Sequence, residues 1–185
     1  DVVRPDNMQA AKLATEFLIS RGHSQIAYLG GQSDSLTRAE RLGGFCATLV
    51  QYGLPFRSEW IVECDCRQRQ AAEAAEQLLR HYPNITAIVC HKASVALGAY
   101  FGLARSGRSI GSDGVDAYYG RQVALIGFGD VPEAELTEPP LTFVSSSARE
   151  VGRSAAARLL QRIGDADLPA QNVILPPTLI RRGSA

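Results

Sequence analysis

The segment QSDSLTRAER, which ends at Arg41, combines hydroxyl side chains with two arginines directly after the apolar run at Ile26–Gly31. Thr37 and Arg41 are four residues apart, so on a helix they would share one face. A guanidinium group holds five donors in a fixed fork, which suits a hydroxyl-rich or anionic ligand. The alternative is a solvated turn in which the arginine pairs with Glu40 or Asp34. The pattern alone favours that alternative, because arginine is mostly a surface residue.

Motifs for enzymatic chemistry are missing from the sequence. There is no G-x-G-x-x-G, no phosphate-binding G-x-x-x-x-G-K-[ST] and no nucleophile motif G-x-S-x-G. The histidines, His23, His81 and His91, form no readable triad. His91 follows an apolar run and could either contact a ligand or be an ordinary polar rim residue. We therefore predict no enzyme, no catalytic residue and no cofactor.

The four cysteines give no metal or disulfide pattern. Cys46 and Cys90 lie in apolar surroundings, where cysteine is usually a small buried hydrophobe. Cys64 and Cys66 form a C-x-C, which is tighter than the usual zinc spacing and lacks a second pair. We predict no metal site, and free thiols favour the cytoplasm over an oxidising compartment.

Composition excludes several classes of protein for this 185-residue sequence. The 19 basic and 19 acidic side chains cancel, so a nucleic-acid-binding footprint is not expected within it. No apolar run approaches the roughly 18 residues of a membrane span, and no signal-peptide pattern opens the sequence. Since the first residue is Asp1 and patterned sequence starts at once, we expect a piece of a longer protein.

Helical and strand patterns alternate along the chain, which predicts a doubly wound α/β fold with a parallel sheet. The predicted elements are helix Met8–Arg21, strand Ile26–Gly31, helix Thr37–Val50, strand Trp60–Cys64, helix Gln70–Tyr82, strand Ala87–Cys90, helix Ser94–Arg105, strand Val123–Phe128, helix Ser147–Gly164 and strand Asn172–Ile180. Ligands of such sheets bind outside the carboxyl ends of the strands. Four loops are therefore candidate sites: Gly30–Thr37, Cys64–Gln68, His91–Ser94 and Phe128–Pro132.

The helix starts carry capping signals. Asn7 is the expected cap of the first helix, and T-x-x-E at Thr37 and Glu40 is a capping box for the second. S-x-x-E, beginning at Ser147, is a second capping box. The polar, glycine-rich segment Gly111–Gln122 interrupts the alternation, and we interpret it as an inserted loop.

The motifs of this sequence resemble the effector-binding core of the lactose-repressor (LacI/GalR) family of bacterial transcription regulators. They occur in the family's order over nearly the whole chain. The matching segments are DN at Asp6-Asn7, FLISRGHSQIAYLGG at Phe17–Gly31, TRAERLGGF at Thr37–Phe45, ALGA at Ala96–Ala99, VALIGF at Val123–Phe128, PPLT at Pro139–Thr142, the helix AREVGRSAAARLL and the terminal LIRRGS.

This resemblance implies a periplasmic-binding-protein-like (type I) architecture of two α/β subdomains with a ligand cleft between them. An N-terminal helix-turn-helix would lie outside this sequence, together with most of the first subdomain. Residues 1–141 would form the C-terminal subdomain. Residues 142–168 would be a helix that belongs with the absent subdomain, and residues 169–185 would be a returning strand and the C-terminus.

The resemblance also implies an effector site. The family's ligand arginine falls on Arg41, with Ser35 and Thr37 before it, which makes the ligand interpretation the leading one. Two positions depart from the family: Lys92 and Ala93 replace the usual Asn-Asp, and Gly129 replaces an aspartate, with Asp130 following. We predict effector contacts from Ser35, Thr37, Arg41, Lys92 and Asp130, with a sugar or a sugar phosphate as the ligand.

A homodimer is implied as well, through Leu97, Phe101, Ala104 and Leu136, although packing inside the core would equally explain apolar residues there. The function implied is that of a cytoplasmic repressor of a carbohydrate regulon, whose effector modulates operator binding by the absent DNA-binding module. A periplasmic sugar-binding protein of the same fold is the alternative.

Overall fold

A computed structural model of the protein describes residues 1–111 and 120–185, so most of the predicted inserted loop lies outside the described residues. The helices are α1 (Asn7–Ser20), α2 (Leu36–Gln51), α3 (Gln68–His81), α4 (Ala93–Arg105) and α5 (Ala148–Gly164). The strands are β1 (Val2–Pro5), β2 (Ile26–Leu29), β3 (Ile61–Val62), β4 (Ala87–Cys90), β5 (Ser109–Ile110), β6 (Gln122–Phe128), β7 (Thr142–Ser145), β8 (Asn172–Leu175) and β9 (Thr178–Ile180). None of the helices in the described ranges has the length and apolar composition needed to span a membrane.

The main sheet has the strand order β3-β2-β4-β6-β7-β9, with β5 also paired to β6. Its strands are parallel except at β9, which runs antiparallel to β7. The chain turns outward from β2 in both directions along the sheet, which is the doubly wound arrangement. The predicted fold class is confirmed.

Helices cover both faces of this sheet, and the alternation of side chains along each strand explains how. In β2, Ile26 and Tyr28 belong to the core cluster with α1 and α2, whereas Ala27 and Leu29 belong to the cluster with α3 and α4. Successive side chains of a strand point to opposite faces, so a strand buried on both faces must be apolar throughout. This requirement produces the continuous apolar runs seen in the sequence.

The starts of the first two helices differ from the predictions. Asp6, not Asn7, caps α1, because its carboxylate accepts from Gln9 N at 2.9 Å. Ser35, not Thr37, caps α2 and accepts from Arg38 N at 3.4 Å. An N-cap must precede the first helical residue, and Thr37 already lies inside the first turn. At α5 the predicted cap is confirmed, since Ser147 accepts from Glu150 N at 3.4 Å.

A second, two-stranded sheet lies apart from the main one. In it, β1 pairs in parallel with β8, and α5 packs against β1. The sequence did not reveal β1, and it merged β8 and β9 into one strand. Pro176 and Pro177 separate them, since proline cannot donate to a ladder. We call β1, β8 and α5 the small unit.

One face of α5 is apolar and open to solvent. Leu159, Leu160 and Ile163 are 60%, 69% and 72% exposed, respectively. The only buried side chain of α5 is that of Arg158, whose Nε donates to Asp1 Oδ1 at 2.9 Å. The small unit therefore holds α5 by polar contacts and leaves most of its apolar surface uncovered.

The contact between α3 and α4 depends on glycine in α4. A Cβ added to Gly102 would lie 2.4 Å from the carbonyl oxygen of Ala72, so the helices would have to separate. We expect Gly102→Ala to lower the free energy of unfolding by about 1–3 kcal/mol, the usual cost of overpacking. Urea denaturation followed by circular dichroism measures this change.

Gly152→Ala in α5 is the matched control, because a Cβ at Gly152 would meet no atom within 4 Å. Alanine is favoured over glycine in a helix by about 1 kcal/mol, so this variant should be at least as stable as the wild type. Equal stability of the two alanine variants would contradict the close helix packing.

Candidate functional site

The candidate site lies at the carboxyl ends of β2 and β4. Gly30 and Gly31 follow β2 with φ values of +100° and +84°, in the left-handed region that favours glycine. A Cβ on Gly31 would lie 2.7 Å from Arg38 Cδ and 3.0 Å from His91 Cδ2. The two glycines therefore let the chain turn off the sheet while Arg38 and His91 remain against its backbone.

Arg41 is held at this edge by three different elements. Its Nε donates to Asn7 Oδ1 at 3.0 Å, and its Nη1 donates to the carbonyl oxygen of His91 at 2.6 Å. Its guanidinium carbon lies 4.6 Å from the centre of the Phe128 ring, a cation–π distance. Burial lowers the pKa of Arg41 from its ordinary, strongly basic value. Nη2 has no hydrogen-bond acceptor among the described residues, which leaves donors for a ligand.

Glu40 has a different role from the predicted one. Its Oε1 accepts from Arg4 Nη1 at 2.6 Å and its Oε2 accepts from Asn7 Nδ2 at 2.8 Å. Because α2 begins at Leu36, Glu40 lies in the second turn and cannot reach the free N–H groups of the first. The predicted capping box is wrong. The bonds from Asn7 and Arg4 lower the pKa of the Glu40 carboxyl, so it stays ionised at neutral pH.

Asn7 thereby bridges Glu40 and Arg41, and a continuous polar chain runs from Arg4 on β1 through Glu40 and Asn7 to Arg41. We call it the Arg4–Arg41 chain. The buried Asn7 donates to the carboxylate and accepts from the guanidinium, which uses both ends of its amide. Sequence reasoning assigned Asn7 to capping and gave Arg4 no role. The sequence signal for this role of Asn7 was its position as a polar residue directly after the helix cap Asp6.

The other predicted effector residues are less tightly held. Ser35 uses its hydroxyl to cap α2, and Thr37 lies half-buried in the first turn, four residues from Arg41. Lys92 is exposed at the N-cap position of α4, where its side chain caps no backbone group. All three lie at the same edge of the sheet as Arg41.

Asp130 lies beyond β6 and is engaged by another residue. Its two oxygens accept from Nη1 and Nη2 of Arg182 at 3.0 and 3.1 Å, and Nη2 also contacts Glu135 at 3.0 Å. The bond with Asp130 raises the pKa of Arg182 further. Asp130 therefore offers a ligand only those acceptor positions that Arg182 leaves.

His91 is a buried part of the site and not a rim residue. It is 1% exposed, and its Nδ1 lies 2.8 Å from the hydroxyl of Tyr28. Burial and the nearby positive charges of Arg41, Lys92 and Arg38 lower the pKa of His91 to about 3. Burial also raises the pKa of Tyr28, so both groups are neutral at physiological pH. A tyrosine in the otherwise aliphatic β2 was the sequence signal for this partner.

The cysteines are free thiols, half-buried at Cys46, Cys64 and Cys66 and buried at Cys90. Burial, together with the neighbouring Cys66, raises the pKa of Cys64 to about 11, so it stays protonated at neutral pH. In the ranges that the structure describes, no group of three or more His, Cys, Asp or Glu side chains could hold a metal ion.

A second, mostly apolar surface lies on α4 and the turn after β6. Leu136 is 85% exposed and Phe101 is 52% exposed, whereas Leu97 is only 6% exposed and belongs to the core. Ala104 is exposed on the same helix. The groove here has a volume of about 570 Å³ and is lined by Gln68, Ser94, Leu97, Tyr100, Phe101, Val131, Glu133, Leu136 and Thr137. We call it the α4 groove.

A family model described as periplasmic binding proteins and sugar binding domain of the LacI family matches residues 1–182. The chain belongs to this family. The family and the architecture implied by the sequence motifs are therefore confirmed, and they place the described edge of the sheet on a LacI-family core.

The chain is similar to known regulators. It is 53% identical to the maltose regulon regulatory protein MalI of Escherichia coli (strain K12), over 97% of this chain and 53% of that protein. It is 31% identical to the HTH-type transcriptional repressor PurR of Aliivibrio fischeri (strain ATCC 700601 / ES114), over 100% of this chain and 52% of that protein. The chain spans about half the length of the curated relatives it matches.

Among solved structures, the transcriptional regulator CelR in complex with cellobiose matches with a TM-score of 0.86 and 28% identity. The match covers 98% of this chain and 53% of CelR. Relatives of this LacI-family core are thus transcription regulators, which favours the regulator over the periplasmic sugar-binding protein.

The environment of His91 predicts how the ring titrates. We expect no protonation of His91 between pH 5 and 8, because burial and three cations oppose a further positive charge. Ring ¹³C and ¹⁵N chemical shifts followed by NMR measure this directly. An inflection of the His91 signals near pH 6.5 would contradict the described environment.

The same shift affects stability. The unfolded chain, in which His91 has its ordinary pKa of 6.5, binds a proton that the folded chain refuses. The contribution of His91 to the free energy of unfolding is therefore fully present above pH 6.5. It is lost as the pH falls toward 3, and the loss amounts to about 2 kcal/mol at pH 5. The free energy of unfolding is measured against pH for the wild type and for His91→Gln. The variant should lack the pH-dependent loss that comes from His91.

Proposed function

We propose that the chain is the effector-binding and dimerising part of a bacterial repressor of a carbohydrate regulon for maltose-related sugars. The observation that carries this proposal is Arg41, a guanidinium fixed at the carboxyl edge of a LacI-family sheet with unused donors. The maltose regulon relative and the cellobiose complex of CelR support a carbohydrate-type effector. The protein would act in the cytoplasm, with no catalytic role.

The chain would form one complete subdomain and contribute a helix to a second one. Residues 1–141 would be the C-terminal subdomain, residues 142–168 would belong with a first subdomain, and residues 169–185 would return to the main sheet. The exposed apolar face of α5 supports a division of this kind, but its bounds shift, because β1 and β8 pair with each other in the small unit and β7 lies in the main sheet. A first subdomain would cover Leu159, Leu160 and Ile163, which a folded protein seldom leaves together in water.

The effector would bind between the two subdomains and shift an equilibrium between their arrangements. A ligand does so only by binding one arrangement more tightly than the other. The Arg4–Arg41 chain supports such a link, because it joins the ligand arginine to β1 in the small unit. A helix-turn-helix module elsewhere in the longer protein would then bind operator DNA more or less tightly.

The homodimer would form through the α4 groove. Phe101 and Leu136 support this, because they are large apolar side chains exposed side by side around one groove. Ala104 would lie at its edge, and Leu97 would act from below by supporting the groove floor. Pairing two copies would couple their DNA-binding modules, since operators for symmetric dimers carry two half-sites.

Removing Arg41 tests the effector site. In the longer protein, Arg41→Ala should weaken binding of an effective sugar or sugar phosphate by roughly tenfold or more, as expected when hydrogen bonds from a charged group are lost. Isothermal titration calorimetry measures the affinity, and thermal unfolding verifies that the variant folds. Arg69→Ala is the matched control, because Arg69 is an exposed arginine paired with Glu73 on α3. Wild-type affinity in a folded Arg41→Ala protein would refute the assigned role.

Charging the α4 groove tests the dimer. Leu136→Glu should shift the longer protein toward monomer, because a carboxylate would be desolvated in the interface. Sedimentation velocity at several concentrations measures the oligomeric state. Val50→Glu on α2 is the control, since Val50 is 71% exposed and lies away from the groove. A Leu136→Glu protein that remains dimeric at the same concentrations would place the interface elsewhere.

A further inference from the structure

Three cationic side chains lie around the end of β4. Arg38 Nε donates to the carbonyl oxygen of Gly30 at 3.3 Å, and its aliphatic part lies against Gly31. Arg41 Nη1 reaches the carbonyl oxygen of His91, which also lies against Gly31. Lys92 is the next residue along the chain. We call Arg38, Arg41 and Lys92 the cationic cluster.

The charges of the three cluster side chains all act on the His91 imidazole. All three lower the pKa of the His91 imidazole, which means that their positive charges are close enough to oppose its protonation together. Arg38 and Arg41 also act on the buried hydroxyl of Tyr28. His91 itself is neutral and adds nothing to balance them. The cluster therefore creates a local positive potential in a protein of zero net charge.

Three carboxylates at this edge of the sheet are paired with other cations, whereas Glu63, which follows β3, accepts from the backbone N–H of Ser33 at 3.1 Å. Glu40 pairs with Arg4 at 2.6 Å, Asp130 with Arg182 at 3.0 Å, and Asp65 with Arg67 at 3.4 Å. In the described ranges, none of the three cluster side chains has a carboxylate oxygen within 4.0 Å. The cluster therefore forms no direct ion pair in this part of the chain, and the Glu40 carboxylate, which Asn7 links to Arg41, acts on Arg41 only at longer range.

Cations that lack a direct ion pair at a partly buried edge of the sheet favour binding of an anionic ligand. Lysine and arginine are donors only, so the cluster offers nothing to the hydroxyl hydrogens of a neutral sugar. A phosphate group accepts several bonds at once, and charge-assisted bonds to it are roughly twice as strong as neutral ones. Lys92 also stands at the N-cap of α4 without capping it, so the partial positive charge of that helix end adds to the cluster.

We propose that the effector is a phosphorylated sugar whose phosphate binds to Arg38, Arg41 and Lys92. This inference rests on the proposed effector site and narrows its ligand class. The sugar ring would lie toward Ser35 and Thr37 at the start of α2, where hydroxyl groups can both donate and accept. Arg41, fixed by Asn7 and Phe128, would set the position of the phosphate, and the exposed Lys92 would close on it from outside.

The test compares phosphorylated sugars with their neutral parents in the longer protein. Glucose 6-phosphate, glucose 1-phosphate, maltose 1-phosphate, glucose, maltose and inorganic phosphate are titrated separately by calorimetry at two salt concentrations. We expect at least one sugar phosphate to bind roughly tenfold or more tightly than its neutral parent, because charge-assisted hydrogen bonds to the phosphate add to its affinity. Its affinity should fall with added salt.

Lys92→Gln tests how much the positive charge of Lys92 contributes to binding of the phosphate. Lys92 is exposed, so the replacement leaves the core intact, and the preference for the phosphorylated sugar should fall by roughly tenfold. Binding of the neutral parent by the same variant is the reference against which this loss is measured. Lys12→Gln is the matched control, because Lys12 is a partly exposed lysine on α1, paired with Glu16 at 3.9 Å. It should leave the preference unaltered.

Three outcomes would overturn the inference. A neutral sugar that binds as tightly as its phosphate ester, in an Arg41-dependent way, would refute the phosphorylated ligand while leaving the effector site standing. Inorganic phosphate that binds as tightly as every sugar phosphate would remove the sugar from the ligand. If none of the probes binds, and none alters operator binding, both this inference and the proposed carbohydrate effector fail.

Discussion

The partly buried guanidinium of Arg41 is the constraint on which the arrangement of this site depends. A cation at the edge of the sheet loses hydration, which must be replaced by hydrogen bonds and by an aromatic face. Asn7, the His91 carbonyl and the Phe128 ring provide these contacts from α1, β4 and β6. Asp6 caps α1, which leaves the Asn7 amide free for this purpose. Displacing any of these elements would cost Arg41 a partner.

The partners of Arg41 also connect the site to the rest of the molecule. Asn7 accepts from Arg41 and donates to Glu40, and Glu40 accepts from Arg4 on β1. Since β1 pairs with β8 and contacts α5, the network that orients Arg41 is connected to the small unit. A structural route of this kind is what a change in subdomain arrangement needs in order to favour one ligand-bound state.

The local charge at this site differs from the net charge of the chain, which is zero. The 19 basic and 19 acidic side chains cancel over the sequence, but they are not distributed evenly in space. Glu40 and Asp130 are ion-paired with Arg4 and Arg182, so neither forms a direct ion pair with the cationic cluster. His91 remains neutral because the positive charge of the cluster and burial both oppose its protonation. The local charge at this edge is a property that composition cannot reveal.

The sequence by itself determined the alternating elements, the parallel sheet and the position of Arg41 after β2, because these depend on periodicity and on neighbours within a few residues. The pairing of Glu40 with Arg4 and the occupation of Asp130 by Arg182 were decided by tertiary structure. These two contacts join residues 36 and 52 positions apart. Such pairings depend on which strands and helices the fold brings next to each other, and no local pattern encodes that arrangement.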